Sequence, residues 1–269
     1  MKNQITILLA SGLLAANTVM IASATAQTGA TLYGGSNYIT INIDPQDAKA
    51  YVNRGKTKYK SGDNKGAIAD FDIAIRINPK FADAYYNRGL AKSDLGDKKG
   101  AIADYDIAIR INPQDNKAYV NRGAAKSDLG DRNGAITDYD IAIRINPQDI
   151  KAYYNRGLAK SDLGDKRGAI ADYNIVIRIN PKKAVAYVNR GNAKSDLGDK
   201  KGAISDYDTA IRINPQNANA YYNRGIDKSD LGNKKGAISD LNIAAQIFKT
   251  QNNMDLYERA MAEIQRVSK

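Results

Sequence analysis

The sequence has no Cys, no His and no Trp in 269 residues, and its only glutamates are Glu258 and Glu263. Without Cys or His there can be no Ser-His or Cys-His nucleophile pair, no thiolate zinc site and no haem attachment. Disulfides are excluded too, so stability must come from packing, and the missing Cys is silent about redox compartment. Acidic side chains that are nearly all Asp point to one unit copied many times. The other routes to chemistry are also weak. Asp104 and Asp106 lie two apart, on different sides of a helix, and Asp106 is expected to pair with Arg110 at i+4. Ser-Asp-Leu-Gly-Asp-Lys-Lys-Gly lacks the alternating oxygen ligands of a calcium loop, and there is no phosphate-cradling Gly-Lys-Ser/Thr. No catalytic residue, cofactor or metal ligand is expected.

Residues 1–26 read as a secretory leader. Lys2 gives the positive start, residues 5–16 are apolar, and Ala24-Thr25-Ala26 offers a cleavage site before Gln27. The polar Thr6, Ser11, Asn17, Thr18 and Ser23 make this stretch a poor membrane span, and no Cys is present for lipid anchoring. An exported chain, periplasmic or secreted, with no membrane span after cleavage is the expectation. Its net charge is then about +10, basic but not extreme.

The organising feature is a 34-residue period. Tyr51, Tyr85, Tyr119, Tyr153, Tyr187 and Tyr221 recur at that spacing, each followed one residue later by Asn-Arg-Gly. Ala67, Ala101, Ala135, Ala169, Ala203 and Ala237 keep the same register, as do all six prolines from Pro45 to Pro215. In the second unit, residues 82–95 lack breakers except Gly89, and Gly96 stops the helix as a C-cap. Asp97 can cap a second helix whose Ala101, Ile102, Tyr105, Ala108 and Ile109 form one apolar face. Asn112-Pro113 ends it, since a residue before proline avoids helical angles. Helices of about 14 residues are marginal alone, so each must be sheltered by a neighbour. Gly89 inside a helix costs roughly 1 kcal/mol relative to Ala, and its recurrence predicts close helix approach against Ala101.

The pattern resembles the tetratricopeptide repeat, whose Trp-x2-Leu-Gly-x2-Tyr, Ala-x3-Phe and Pro signature falls in the first unit on Tyr51, Arg54, Gly55, Lys58, Ala67, Phe71 and Pro79. The resemblance implies an all-α fold, a right-handed α-solenoid of six helix-turn-helix hairpins over 48–81, 82–115, 116–149, 150–183, 184–217 and 218–251. Residues 252–269, with Tyr257, Ala260, Met261, Ile264 and Val267 at helical spacing, read as a C-terminal capping helix. Residues 27–47 read as a linker in which residues 41–47 echo residues 109–115, a possible remnant half-repeat.

Two positions depart from the family pattern: Arg holds the Leu place in all six units, and Lys holds the second Tyr place. Asp once per unit on the second helix should answer them, forming a structural ladder of Arg88 with Asp104, Arg122 with Asp138 and Arg156 with Asp172. The residue after the repeated Tyr alternates Val52, Tyr86, Val120, Tyr154, Val188 and Tyr222, implying duplication of a 68-residue pair.

The resemblance also implies that the first helices line a concave groove. That places Asn53, Tyr86, Asn87, Leu90, Asn121, Tyr154, Asn155, Leu158, Asn189, Tyr222 and Asn223 against a peptide or protein partner, since an Asn amide both donates to and accepts from an extended backbone. The same Asn equally suits packing or capping. A carboxylate clamp through Lys49, Lys117 and Lys151 lacks its second cation, because Asn stands there. A second reading uses the basic inter-helix edge of Lys98, Lys99, Arg132, Lys166, Arg167, Lys200, Lys201, Lys234 and Lys235, preceded by Lys65, to hold an anionic cell-envelope polymer. Nucleic acid is not expected of an exported chain.

Overall fold

The computed structural model describes residues 4–8, 31–35, 38–42 and 47–269. Most of the expected leader and linker, including the cleavage site, lies outside the described residues. Within that stretch β1 (Gln4–Leu8), β2 (Thr31–Gly35) and β3 (Tyr38–Asn42) form an antiparallel sheet in the order β1-β3-β2. Ile41 and Asn42 therefore sit in a strand rather than in the end of a remnant helix, as befits the β-branched alternation Tyr-Ile-Thr-Ile-Asn.

From residue 48 onward every element is helical. The chain divides into two compact units, Met1–Leu129 and Gly130–Lys269. The first holds the sheet and α1 (Ala48–Lys60), α2 (Asn64–Ile77), α3 (Ala82–Asp94), α4 (Lys98–Ile111) and α5 (Asn116–Asp128). The second holds α6 (Arg132–Ile145), α7 (Ile150–Asp162), α8 (Lys166–Ile179), α9 (Ala184–Asp196), α10 (Lys200–Ile213), α11 (Ala218–Asp230), α12 (Lys234–Thr250) and α13 (Met254–Ser268). In each unit a helix packs on the next and the pairs stack in sequence, the α-solenoid arrangement. None of these helices is long and apolar enough to cross a membrane.

The boundaries follow from local chemistry. Gly96 ends the first helix of its hairpin at φ +86° with open space around it, a left-handed position that a side chain would strain. Asp97 then caps α4 by accepting from the Gly100 N–H at 2.9 Å. After α4, the Asn112 side chain accepts from the Gln114 N–H at 3.3 Å, an Asx turn across the proline. Phe248 and Lys249 stand where other units have Asn-Pro, so α12 runs on to Thr250 before Asn252 turns the chain at φ 57°. α13 then covers the last hairpin. Val267 packs with Ala237 and Leu241, and Ala260 packs with Ala244 and Phe248, whereas Met261 of the expected apolar stripe is exposed.

The core alternates very small with large side chains. Ala67, Ala101, Ala169 and Ala203 are fully buried beside Phe71, Tyr105, Tyr173 and Tyr207. Burying each ring contributes roughly 1.5–3 kcal/mol. The recurring helical glycine lies nearest that ring: a Cβ on Gly89 would stand 2.7 Å from the Tyr105 ring. Gly55, Gly157 and Gly191 meet Phe71, Tyr173 and Tyr207 in the same way, and Gly225 meets Leu241 and the Ala237 carbonyl.

Candidate binding face

The Arg of each first helix is built into the frame, which accounts for the departure from the family pattern. Arg88 donates through Nε and Nη2 to both oxygens of buried Asp104, at 2.9 and 2.5 Å, and through Nη1 to Asp72 of the preceding hairpin at 2.5 Å. Its guanidinium lies 5.5 Å from the Tyr85 ring centre, and Lys92 closes on Asp104 at 2.9 Å. Arg156 repeats this with Asp172, Asp140 and Tyr153, and Lys160 joins Asp172 at 3.0 Å. Arg54, Arg190 and Arg224 do the same with Asp70, Asp206 and Asp240. Burial disfavours the Arg88 charge, but the hydrogen bonds it donates to Asp104 and Asp72 outweigh it, so its pKa rises. For Asp70, burial raises the pKa and the Arg54 and Lys58 hydrogen bonds outweigh it, so the net direction is down. Of the remaining ladder residues, Asp138 is buried in the second unit. Arg122 in the first unit reaches Asp106 at 2.6 Å, so Asp106 bonds across hairpins rather than to Arg110 along its own helix.

The expected groove residues fall on α1, α3 and α5 of the first unit and on α7, α9 and α11 of the second. They do not behave as one ladder. Where Tyr follows the repeated Tyr, its hydroxyl accepts from the Asn of the next hairpin: Asn121 Nδ2 to Tyr86 at 2.9 Å, and Asn189 Nδ2 to Tyr154 at 3.0 Å. Those rings lean on the second-helix aromatic, Tyr86 on Tyr105 at 6.0 Å and Tyr154 on Tyr173 at 6.1 Å. Burial, with the Asp115 charge, pushes the Tyr86 phenol up, and burial does the same for Tyr154. In the other units Val52, Val120 and Val188 are buried. Asn87 is buried and spends its Nδ2 inside its own helix, on the Asp83 carbonyl at 2.6 Å and the Asp83 carboxylate at 2.9 Å. Asn53 is half-buried, Asn155 is half-buried without a side-chain partner among the described residues, and Asn223 donates to Asn192 at 2.8 Å. Leu158 is exposed and Leu90 half-exposed, while Tyr222 packs edge-on against Phe248 at 6.4 Å. The hydroxyls of Tyr86 and Tyr154 and three of the six amides thus join hairpins to one another, and the leucines and Asn155 present open surface.

The basic edge is partly neutralised. Lys98, Arg132, Lys166 and Lys200 each reach an Asp of the following hairpin: Asp128 at 2.8 Å, Asp162 at 2.9 Å, Asp196 at 2.7 Å and Asp230 at 2.7 Å. This explains cations in the first turn of a helix, where its dipole opposes them: each is a tie to the next hairpin. Lys99, Arg167, Lys201, Lys234 and Lys235 are exposed and carry no ion pair among the described residues.

Sequence reasoning passed over Asn192 and Asp227. Asn192 stands where neighbouring copies have Leu90, Ala124, Leu158 and Ile226, and Asp227 where they have Ala91, Ala125, Ala159 and Ala193. Comparison of the copies with one another was the signal that could have found them.

Comparison with known proteins places these features. A family model described as TPR repeat matches residues 55–96, 126–164 and 195–226. Two described as tetratricopeptide repeat match 82–115 and 150–183. No curated protein matches the chain. Among solved structures, YrrB, titled a TPR protein with an unusual peptide-binding site, is similar at a TM-score of 0.59 and 22% identity, over 66% of this chain and 91% of that one. MamA is similar at 0.59 and 26% identity, over 61% and 96%. PilF of Pseudomonas aeruginosa is similar at 0.68 and 17% identity, over 82% and 100%.

Proposed function

Because the chain belongs to the tetratricopeptide repeat family, whose folds serve protein–protein interaction, we propose that it is an exported, non-enzymatic scaffold that binds an extended segment of a partner protein along the face of its first helices. The observation that carries this reading is where the copies differ. Positions that tie hairpins together are repeated almost unchanged, whereas Lys56, Leu90, Ala124, Leu158, Asn192 and Ile226 occupy one place on the first helix with six occupants of five kinds. A frame needs its joints identical; a recognition face needs its contacts individual.

The anionic-polymer reading is weaker, because four of the nine edge cations are spent on Asp of the next hairpin. Mass spectrometry of the mature chain in the envelope fraction should find its first residue at Gln27. Photo-crosslinking amino acids placed at Leu90 and Leu158, compared with Lys99 and Lys201, should trap a polypeptide from the face and not from the edge. Crosslinks confined to the edge, and lost at moderate salt, would overturn the face in favour of the polymer.

A further inference from the structure

An open pocket of about 530 Å³ lies wholly within the second unit, between the first helices of the last two hairpins and the capping helix. Asp227 is at its base, 2% exposed. One oxygen, Oδ1, accepts from Ser195 Oγ at 2.6 Å and from Lys200 Nζ at 3.3 Å. The other, Oδ2, is buried and has no hydrogen-bond partner, the one such side-chain atom among the described residues. A buried carboxylate oxygen left without a donor keeps its full desolvation penalty, so the fold gains nothing by keeping it.

The copies act as internal controls. At the Asp227 place the four preceding units have Ala, and there the corresponding Lys turns to the Ser of its own hairpin: Lys98 to Ser93 at 3.0 Å and Lys166 to Ser161 at 3.1 Å. Asp227 draws both partners away, since Ser195 and Lys200 bond to it instead. The second departure, Asn192, stands in the same pocket. Its Oδ1 accepts from Tyr207 at 2.9 Å and from Asn223 at 2.8 Å, and its Nδ2 makes no hydrogen bond among the described residues. Two departures, 35 residues apart and at neighbouring places of the repeat in adjacent hairpins, thus converge on one cavity.

Each carboxylate of that cavity already has a cation: Asp196 holds Lys166 at 2.7 Å, Glu263 holds Arg266 at 2.5 Å, and Asp227 holds Lys200 at 3.3 Å through Oδ1, so Oδ2 of Asp227 is the acceptor left over among the described residues. We propose that this pocket holds the cationic nitrogen of a bound polypeptide, an ammonium or guanidinium donating to Asp227 while Asn192 donates to a neighbouring carbonyl. This rests on the reading of the first-helix face as the binding surface and names the chemistry of its C-terminal end. Terminal carboxylates, which need a cationic cradle, are the opposite ligand and are excluded here by the lining.

The test uses the full chain and two variants that restore the residues of the copies, Asp227→Ala and Asn192→Leu, neither of which should impair folding. Probes are acetyl-Gly-Lys-Gly-amide, its arginine counterpart, Gly-Gly-Gly-amide with a free N-terminus, and the acetyl-lysine peptide as a neutral control, followed by amide chemical shifts. The charged probes should shift Asn192 and Asn223 signals, the arms separating side-chain from terminal nitrogen. Asp227→Ala should weaken binding at least tenfold and melt no lower than the parent. Equal binding by parent and Asp227→Ala, equal binding of lysine and acetyl-lysine probes, or a clear fall in Tm for Asp227→Ala would each overturn the proposal. Failure is separable from failure of the face. Crosslinking at Leu90 and Leu158 that persists while no cationic probe binds sinks the pocket alone; loss of those crosslinks with probe binding intact sinks the wider face and leaves the pocket standing.

Discussion

Replacing Asp104 by Asn removes the charge on which two cations of α3 converge while keeping shape and volume. Asp104 is 2% exposed and accepts from Arg88 and Lys92, which are 17% and 23% exposed. Breaking a buried pair by deleting one partner costs about 3–5 kcal/mol. Both cations retain some water and Arg88 keeps Asp72, so the lower end applies. At an m-value of about 2 kcal/mol/M, a loss of about 3 kcal/mol moves the urea midpoint down by about 1.5 M. Asp72→Asn breaks the exposed link only and should cost less than about 1 kcal/mol. The geometry also sets the comparison variant. Arg88 and Asp104 cannot be replaced as a pair without stranding Lys92 over an apolar patch, so the matched change is Arg88→Met, Lys92→Leu and Asp104→Leu together, expected within about 1 kcal/mol of the parent because desolvation offsets most of the attraction. Helicity followed through urea reads all three. A triple variant less stable than Asp104→Asn, or a midpoint unmoved by Asp104→Asn, would refute the claim that these charges fix register more than they add stability.

Three further outcomes follow from the same frame. Gly89→Ala should gain about 1 kcal/mol of helix propensity yet lose more by driving a methyl to 2.7 Å from the Tyr105 ring, for a net fall of about 1–2 kcal/mol that Tyr105→Leu relieves; calorimetric melting of the single and double variants checks it. The Tyr59 phenol, pushed up from 10.0 to about 12 by burial and its hydrogen bond to Asp94, binds its proton more tightly folded than unfolded. Its contribution is therefore present below pH 10.0 and lost as pH rises through about 12; the urea midpoint of the parent should fall more steeply over that window than that of Tyr59→Phe, and parallel slopes would contradict this. Tyr86→Phe with Tyr154→Phe removes two hydroxyl acceptors at about 1 kcal/mol each, and should add slow refolding phases, whereas single-phase refolding at the parental rate would exclude a part for these hydroxyls in choosing neighbours.

The 34-residue period, the Asn-Pro stops, the Asp caps and the Gly96-type turn were all legible, because each is decided within a few residues along the chain. The Arg–Asp ladder was legible too, since one cation and one acid per unit must face each other somewhere. What failed was the direction across the stack. Gly89 and Ala101 are alike in being small, but the helix crossing places Gly89 nearest Tyr105. Asp106 has Arg110 one turn on along its helix, but the next hairpin brings Arg122, sixteen residues on, to it. Lys98 looked like free surface for the same reason, its Asp128 being thirty residues away. Sequence spacing reports the face a residue takes on its own helix; which neighbour fills that face is set by how hairpins lie on one another. The pocket was missed differently: averaging over copies to find the repeat erased Asn192 and Asp227, which carry meaning only as exceptions.

Near-identity of the copies poses a problem that the ladder cannot solve. The pairs Arg88–Asp72, Arg122–Asp106, Arg156–Asp140 and Arg224–Asp208 are the same bond repeated, and only Arg190 meets Asn174 there instead, so a hairpin docked on the wrong copy would recover nearly all of them. The ladder fixes the angle and depth of docking, not the identity of the neighbour. The Val/Tyr alternation does distinguish neighbours, because the bonds from Asn121 to Tyr86 and from Asn189 to Tyr154 form only when a Tyr hairpin precedes a Val hairpin. A slip of one unit loses both, and a slip of two restores them. Discrimination at that longer period must come from features present once: Phe248 in place of the asparagine before proline, the extended α12, and Tyr222, whose ring meets Phe248 instead of another hairpin. The residues that end the stack are therefore also ones that count it, together with single departures inside it such as Asn174 of the fourth hairpin, where Arg190 meets an amide in place of a carboxylate.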